Sequence, residues 1–341
     1  MAAILVVNAG STSLKLSVVE VGGETTTIGS LDAAPAKLDA VAHRVVHGGR
    51  RFRDPVVVDD GVERELTRLT ELAPMHMTPA MTALRQARAE LPRVPHVAVF
   101  DSAFHATIPD EAATYALPRH VREEWGVRRY GFHGLSVQWA SEQVQAERLV
   151  VCHLGGGCSV TAVRAGRSVD TTMGFTPLEG VPMSTRPGSV DPGALLYLLR
   201  HQLTLDELER TLEHESGLRG LSGLSGDVRE LERSEEPAAR LALQIFAYRV
   251  ATAVGSLAVP LGGLDALVFT AGIGEHSAAV RAQVCARLTF LGVELDPERN
   301  ERAEPDSEIA TEGSAVRLVV LRAREDIVAA RAARALIDRL A

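Results

Sequence analysis

Residues 5–22 read LVVNAGSTSLKLSVVEVG, and residues 149–166 read LVVCHLGGGCSVTAVRAG. Each is a short apolar strand, a turn of glycine or serine, a second strand and a closing glycine, in the same eighteen positions. Apolar runs that meet in a tight glycine turn predict a β-hairpin. A second echo pairs Val97–Phe100, which runs into Asp101-Ser102, with Ala266–Phe269, which runs into Thr270-Ala271-Gly272. Both read as buried strands that end in a polar or glycine turn. The offsets, 144 and 169 residues, are similar. Chance likeness between apolar strands is the alternative; a duplicated α/β domain is the reading taken. Helical periodicity in Thr78–Glu90, Pro192–Gln202, Pro237–Val259, Ala278–Leu291 and Asp326–Leu340 predicts mixed sheets flanked by helices. In such folds ligands bind beyond the carboxyl ends of strands, which with two facing domains predicts a site in an interdomain cleft.

A chain of 341 residues with 46% hydrophobic and 23% charged residues is long and apolar enough for two globular domains. The formal net charge of −8 offers no basic excess for nucleic acid or an anionic membrane surface, so neither is expected as a partner. Cys152, Cys158 and Cys285 fit no common zinc spacing and read as structural thiols in a reducing compartment. The run Ala2–Val7 reads as a first strand, since no basic segment or cleavage pattern accompanies it. No apolar stretch approaches the ~20 residues of a membrane span, and a cytoplasmic location is expected. The sequence predicts a boundary near Val144–Arg148, dividing it into 1–146 and 147–326, with a terminal helix over 327–341 packing back on the first domain.

Three turns offer phosphate chemistry. Asn8-Ala9-Gly10-Ser11-Thr12-Ser13-Leu14-Lys15 supplies backbone N–H groups, hydroxyls, an amide and an ammonium within eight residues. Such turns can cup an anion, although a plain hairpin turn remains open. It is not a P-loop, because the glycine–lysine spacing is absent and a strand follows. Gly155-Gly156-Gly157 stands at the same place in the second half, and Gly272-Ile273-Gly274-Glu275 opens a helix after the last buried strand. Glycine lets backbone approach a ligand closely, and a helix start favours anions. In His43-Arg44-Val45-Val46-His47-Gly48-Gly49, strand alternation puts Arg44 and Val46 on one face. Arg186 sits in a turn-like segment, and His133 lies beside Phe132. An arginine fork matches phosphate or carboxylate, but surface ion pairs and a core histidine are the plainer alternatives. Glu325-Asp326 follows the apolar run Val316–Leu321 and either caps a helix or helps to hold Mg2+.

Together the strings NAGSTSLK, HRVVHGG, APMH, VFDSAFHATIP, YGFHG, HLGGG, DTTMGFTPLEGVPMSTRPGSVDP, SGLRGLSG, FTAGIGEHS and RED resemble the acetate kinase family, in order and over nearly the whole chain. That resemblance implies duplicated RNase H-like domains of the actin, Hsp70 and sugar kinase type. It implies transfer of a phosphoryl group from ATP to acetate, with ATP and ADP as substrates and Mg2+ as cofactor, Mn2+ being a possible substitute, in a homodimer. By the resemblance Arg44, Asp101, His133 and Arg186 are catalytic. Val46, Met75, His76, Phe132 and Pro177 form the acetate pocket. Asn8, Ser11, Ser13, Lys15, His153, Gly155, Gly156, Gly157, Asp227, Val228, Arg229, Gly272, Ile273, Gly274 and His276 hold phosphate or nucleotide, and Asn8 and Glu325 hold the metal. The sequence departs from the family pattern at Gly156, His276, Val228, Val137 and Met77, and is short between Lys15 and His43. A propionate or other short-chain acyl kinase and a non-catalytic nucleotide- or acyl-phosphate-binding paralogue are the alternative readings.

Overall fold

The computed structural model describes residues 3–9 and 14–340, which fall into two compact units. The first takes in residues 1–106, 132–139 and 324–341, and the second 107–131 and 140–323. The division expected at 146–147 is therefore redrawn: residues 107–131 and 140–146 belong with the second unit. Long-range pairing fixes them there. Thr107 Oγ1 donates to the Ser168 carbonyl at 2.8 Å, and Arg129 Nη1 to those of Thr172 and Met173 at 2.9 and 3.0 Å.

In the first unit the strands are β1 (Ala3–Ala9), β2 (Leu14–Glu20), β3 (Thr25–Ile28), β4 (Ala40–Val45), β5 (Val56–Val57) and β6 (His96–Phe100). They form one sheet in the order β3-β2-β1-β4-β6-β5. β1 runs antiparallel to β2 and parallel to β4, β4 is parallel to β6, and the two-residue β5 closes the edge antiparallel. Ile4, Leu5, Val41, Ala42, Val97 and Ala98 are fully buried, as strands covered on both faces require. The helix Glu325–Leu340 packs on β1, β2, β4 and β6 through Ile327, Val328 and Ala333. Arg324 and Arg331 both lie 5.6 Å from the Trp139 ring centre, a cation–π arrangement.

The second unit repeats this plan with β7 (Arg148–Leu154), β8 (Cys158–Arg164), β9 (Arg167–Thr171), β10 (Ala266–Thr270), β11 (Ser307–Glu308) and β12 (Arg317–Leu321). Their order, β11-β12-β10-β7-β8-β9, is the first order read backwards. The first sequence echo thus matches β1–β2 with β7–β8. The second is corrected. Val97–Phe100 lies in β6, whose counterpart is β12, whereas Ala266–Phe269 lies in β10, the counterpart of β4. All four are short parallel strands with buried residues and a turn at the end, so an apolar run alone cannot tell which slot it fills.

Most of the periodic segments form helices near their expected bounds, including Pro74–Glu90, Pro192–His201 and Pro237–Leu261. The helix from Ala278 stops at Cys285 rather than reaching Leu291, because a short 3-10 turn and Gly292 redirect the chain. Contrary to the expectation of no span-length stretch, Pro237–Leu261 has 25 residues and a mean hydropathy of 1.4 over its most apolar window. Phe246, Val250 and Val254 on it are fully buried, and it packs on β7 and β8. Here it is a core helix, with Arg240 and Arg249 on its exposed side.

Candidate active site

The parallel strands of the first unit deliver three polar side chains to one end of the sheet. Asn8 is on β1, Arg44 on β4 and Asp101 follows β6. The helix that begins at Glu325 brings a second carboxylate. Arg44 donates Nε and Nη2 to the two Asp101 oxygens at 2.9 and 2.6 Å. Its Nη1 lies 3.1 Å from both Glu325 Oε2 and Asn8 Oδ1, and Asn8 Nδ2 donates to Glu325 Oε2 at 3.4 Å. The Asp101 side chain is 1% exposed and that of Arg44 16%. Burial works against the charge of Arg44, but Asp101 and then Glu325 overcome it and hold its pKa above the ordinary value. Of the adjacent acids, Glu325 joins this cluster, while Asp326 accepts from the backbone of Ile327 at 3.0 Å.

His133 is half-buried and has a left-handed backbone, φ 59°, which is strained for a residue with a side chain. The next residue holds it: Gly134 N–H donates to the Asp101 carbonyl at 2.9 Å, and a first side-chain carbon at 134 would collide with that oxygen. Behind them His105 Nε2 meets the Phe132 carbonyl at 2.9 Å, its pKa pushed down to about 4 by burial. Val46 and Phe132 are buried, whereas Met75 and His76 are half-buried in the first turn of their helix. Lys15 is exposed and pairs in register with Asn8 across the β1–β2 ladder. Ser11 and Ser13 lie outside the described residues.

In the second unit Arg186 is buried and donates Nη1 to the Pro177 carbonyl at 2.9 Å. Its segment is held from behind: Leu218 N–H donates to the Met183 carbonyl, Arg219 to Ser184 and Ser216 to Thr185, at 2.8 to 3.0 Å. Burial pulls the Arg186 pKa down, with Glu213 the main opposing charge. A separate cavity of about 530 Å³ is walled by Gly155, Gly156, Asp227, Val228, Arg229, Gly272, Ile273 and His276, all selected from sequence. Ser184, Gly226, Glu232 and Ser277 complete it and were not anticipated. Gly157, Gly274 and the buried His153 are not part of its wall.

The cavity combines glycine backbone with the side chains of Asp227, Arg229, Glu232 and His276. A side chain at Gly156 or Gly272 would meet nothing within 4 Å, so the space beside both is open to a ligand. Asp227 caps a short helix and accepts from Arg229 at 3.0 and 2.6 Å, which holds the carboxyl below its usual range. Glu232 accepts from Ser277 Oγ at 2.5 Å. Arg281, 1% exposed, grips the far side of the turn: it donates to the carbonyls of Gly274 and Glu275 at 3.0 and 2.9 Å and to Asn300. Two departures noted in the sequence, Met77 and Val137, are fully buried apolar residues. Glu232 and Arg281 escaped the sequence reading because both lie in ordinary amphipathic helices; only their long-range partners mark them.

Two sheets of one topology, each with its polar or glycine turns after the parallel strands, define the duplicated RNase H-like fold of the sugar kinase and actin type. A family model described as the acetokinase family matches residues 24–331. The chain is 46% identical over 316 residues to an acetate kinase of Nostoc punctiforme, covering 89% of this chain and 77% of that protein. It superposes on a propionate kinase from Francisella tularensis with a TM-score of 0.91, 32% identity and coverage of 97% and 99%. For Porphyromonas gingivalis acetate kinase the TM-score is 0.87, the identity 30% and the coverage 99% and 100%. The chain belongs to the acetokinase family.

Proposed function

We propose that this protein is an acetate kinase, which transfers the γ-phosphoryl group of ATP reversibly to acetate and yields acetyl phosphate and ADP. The observation that carries the reading is the Arg44 cluster, a half-buried guanidinium fixed on Asp101 at a strand end and Glu325 at a helix start. A carboxylate substrate is ionised near pH 7, so its oxygen attacks phosphorus without a general base. One carboxylate–phosphorus bond forms as the bond to the ADP oxygen breaks. The barrier is then alignment and repulsion between anions, which fixed cations relieve. Asp101 accepts from Arg44 at both oxygens and so orients the guanidinium, and an already ionised acetate leaves it no proton to take. Arg44, His133 and Arg186 are assigned to the transferring group, and Val46, Met75, His76, Phe132 and Pro177 to acetate. The glycine-walled cavity, about 530 Å³, is assigned to the nucleotide.

Among the described residues no three His, Cys, Asp or Glu side chains are arranged to hold a metal. Glu325 and Asn8 offer hard oxygen donors 3.1 Å from Arg44, a sparse set that fits Mg2+ sharing its shell with phosphate and water. When bound, Mg2+ supplies charge neutralisation on the phosphate oxygens. A homodimer is part of the proposal, supported by the apolar face of the helix Pro192–His201, where Leu196, Tyr197 and Leu199 are exposed. A cytoplasmic location is supported by three free buried thiols.

The deciding assay traps acetyl phosphate as the hydroxamate with acetate, ATP and Mg2+. Acetate-dependent product is expected, with Arg186→Ala lowering kcat by about a hundred- to a thousandfold. Wild-type protein without acetate-dependent product would refute the function, and full turnover by the variant would refute the site.

A further inference from the structure

The loop Thr172–Gly180 carries Pro177, whose carbonyl takes the Arg186 hydrogen bond at 2.9 Å. Side chains from a distant part of the second unit hold this loop. Arg129 Nη1 donates to the carbonyls of Thr172 and Met173, and its Nη2 donates to Glu179 Oε1 at 2.8 Å. Tyr115 donates its hydroxyl to the other Glu179 oxygen and accepts from Phe175 N–H at 3.0 Å. Arg129 also stacks 5.7 Å from the centre of the Tyr115 ring. The bracket closes so tightly around Gly174 that a side chain there would collide with both Glu179 and Tyr115. Both terminal nitrogens of Arg129, both Glu179 oxygens and the Tyr115 hydroxyl are engaged across an otherwise irregular loop, as a built support requires.

We infer that Tyr115, Arg129 and Glu179 are positioning residues which, through Pro177, fix how the acyl end of the substrate is held and how long it can be, with the Pro177–Arg186 hydrogen bond tying that end to the transferring group. The inference rests on the acetate kinase reading above. Arg186 is buried, and Pro177 O is the acceptor that orients its fork. A loop free to shift by a fraction of an ångström would turn that fork and widen the space beside Pro177. Chain-length discrimination is sensitive to such shifts because one methylene is a small energetic difference.

Tyr115→Phe removes one oxygen and keeps the ring under Arg129. It is expected to raise KM for acetate about tenfold, the scale of one lost hydrogen bond. The propionate-to-acetate ratio of kcat/KM should rise roughly threefold, with KM for ATP unchanged. Arg129→Lys keeps the charge but cannot reach three acceptors, and should move the same constants further. Thermal melting of each variant separates a fold defect from a site defect. Lower melting temperatures with wild-type KM for acetate and wild-type selectivity would make the bracket merely structural and overturn the inference, as would parallel shifts in both KM values. Wild-type protein inactive towards acetate would overturn the underlying function as well, and that outcome is seen before any variant is made.

Discussion

At the ends of β1, β4 and β6 the first unit sets out Asn8, Arg44 and Asp101. After the equivalent β7, β10 and β12 the second sets out Gly155, Gly272 and Ala323. The frame is the same, but one set of strand ends carries a charged cluster while the other opens on glycines, beside a cavity whose charged groups, Asp227, Arg229 and Glu232, come from other segments. A guanidinium held by two carboxylates is a fixed electrostatic element, preorganised at the cost of burying Asp101 and half-burying Arg44 and Glu325. A glycine-lined wall recognises by close approach and shape. Duplicating one sheet therefore gave two instruments, and the division follows from what each turn carries rather than from the fold.

That contrast can be broken most forcefully at Arg44. Arg44→Ala leaves Asp101 and Glu325 facing each other without their cation. Loss of about 3–5 kcal/mol of stability is expected in urea melts, with turnover down by a thousandfold or more. Retained activity would mean that the charged strand ends are not the reactive ones. In the second unit the corresponding weak point is a support behind the backbone. Arg281→Met strands the carbonyls of Gly274 and Glu275 and the side-chain oxygen of Asn300, and about 2–3 kcal/mol should be lost. Nucleotide affinity should weaken with it, as titration with a fluorescent ADP analogue would show.

Acid should also tell the units apart. His43 Nε2 lies 2.9 Å from His96 Nδ1 on the first sheet, and burial, with His96 and Arg88 adding, lowers its pKa to about 3. A histidine kept neutral in the fold binds its proton only on unfolding. Its stabilisation is thus complete above the unfolded value of 6.5 and is lost as pH falls from there towards 3. Between pH 7 and pH 5 the expected loss is about 2 kcal/mol, and His43→Gln should flatten that slope in chemical denaturation. The smallest effect belongs to Gly156. Its neighbourhood is open, so Gly156→Ala should change stability by no more than about 0.5 kcal/mol. A shift in nucleotide affinity without a shift in melting temperature would locate the ligand against that backbone.

The glycine turns, both hairpins and the alternation that presents Arg44 were legible in sequence, because each depends on neighbours within a few residues. The Arg44–Asp101–Glu325 cluster was legible only as separate candidates, since strand order decides which ends meet. β10 was matched to the wrong counterpart for the same reason. Tyr115 carried no local signal, and Glu179, although inside the string DTTMGFTPLEGVPMSTRPGSVDP, gave none of its bracing role until the loop Thr172–Gly180 folds against Tyr115 and Arg129. The turn bearing Ser11 and Ser13 lies outside the described residues, and its assignment to phosphate rests on the sequence resemblance.

Each sheet ends, beyond β6 and beyond β12, in a strand two residues long. Such a stub uses the hydrogen-bonding edge of its parallel neighbour yet offers almost none of its own. A partly unfolded copy arriving at β5 or β11 finds too little ladder to extend. At these two edges, though not at the longer β3 and β9 on the opposite sides, sheet-to-sheet growth is blunted, and lengthening either stub would add an edge for another copy to extend.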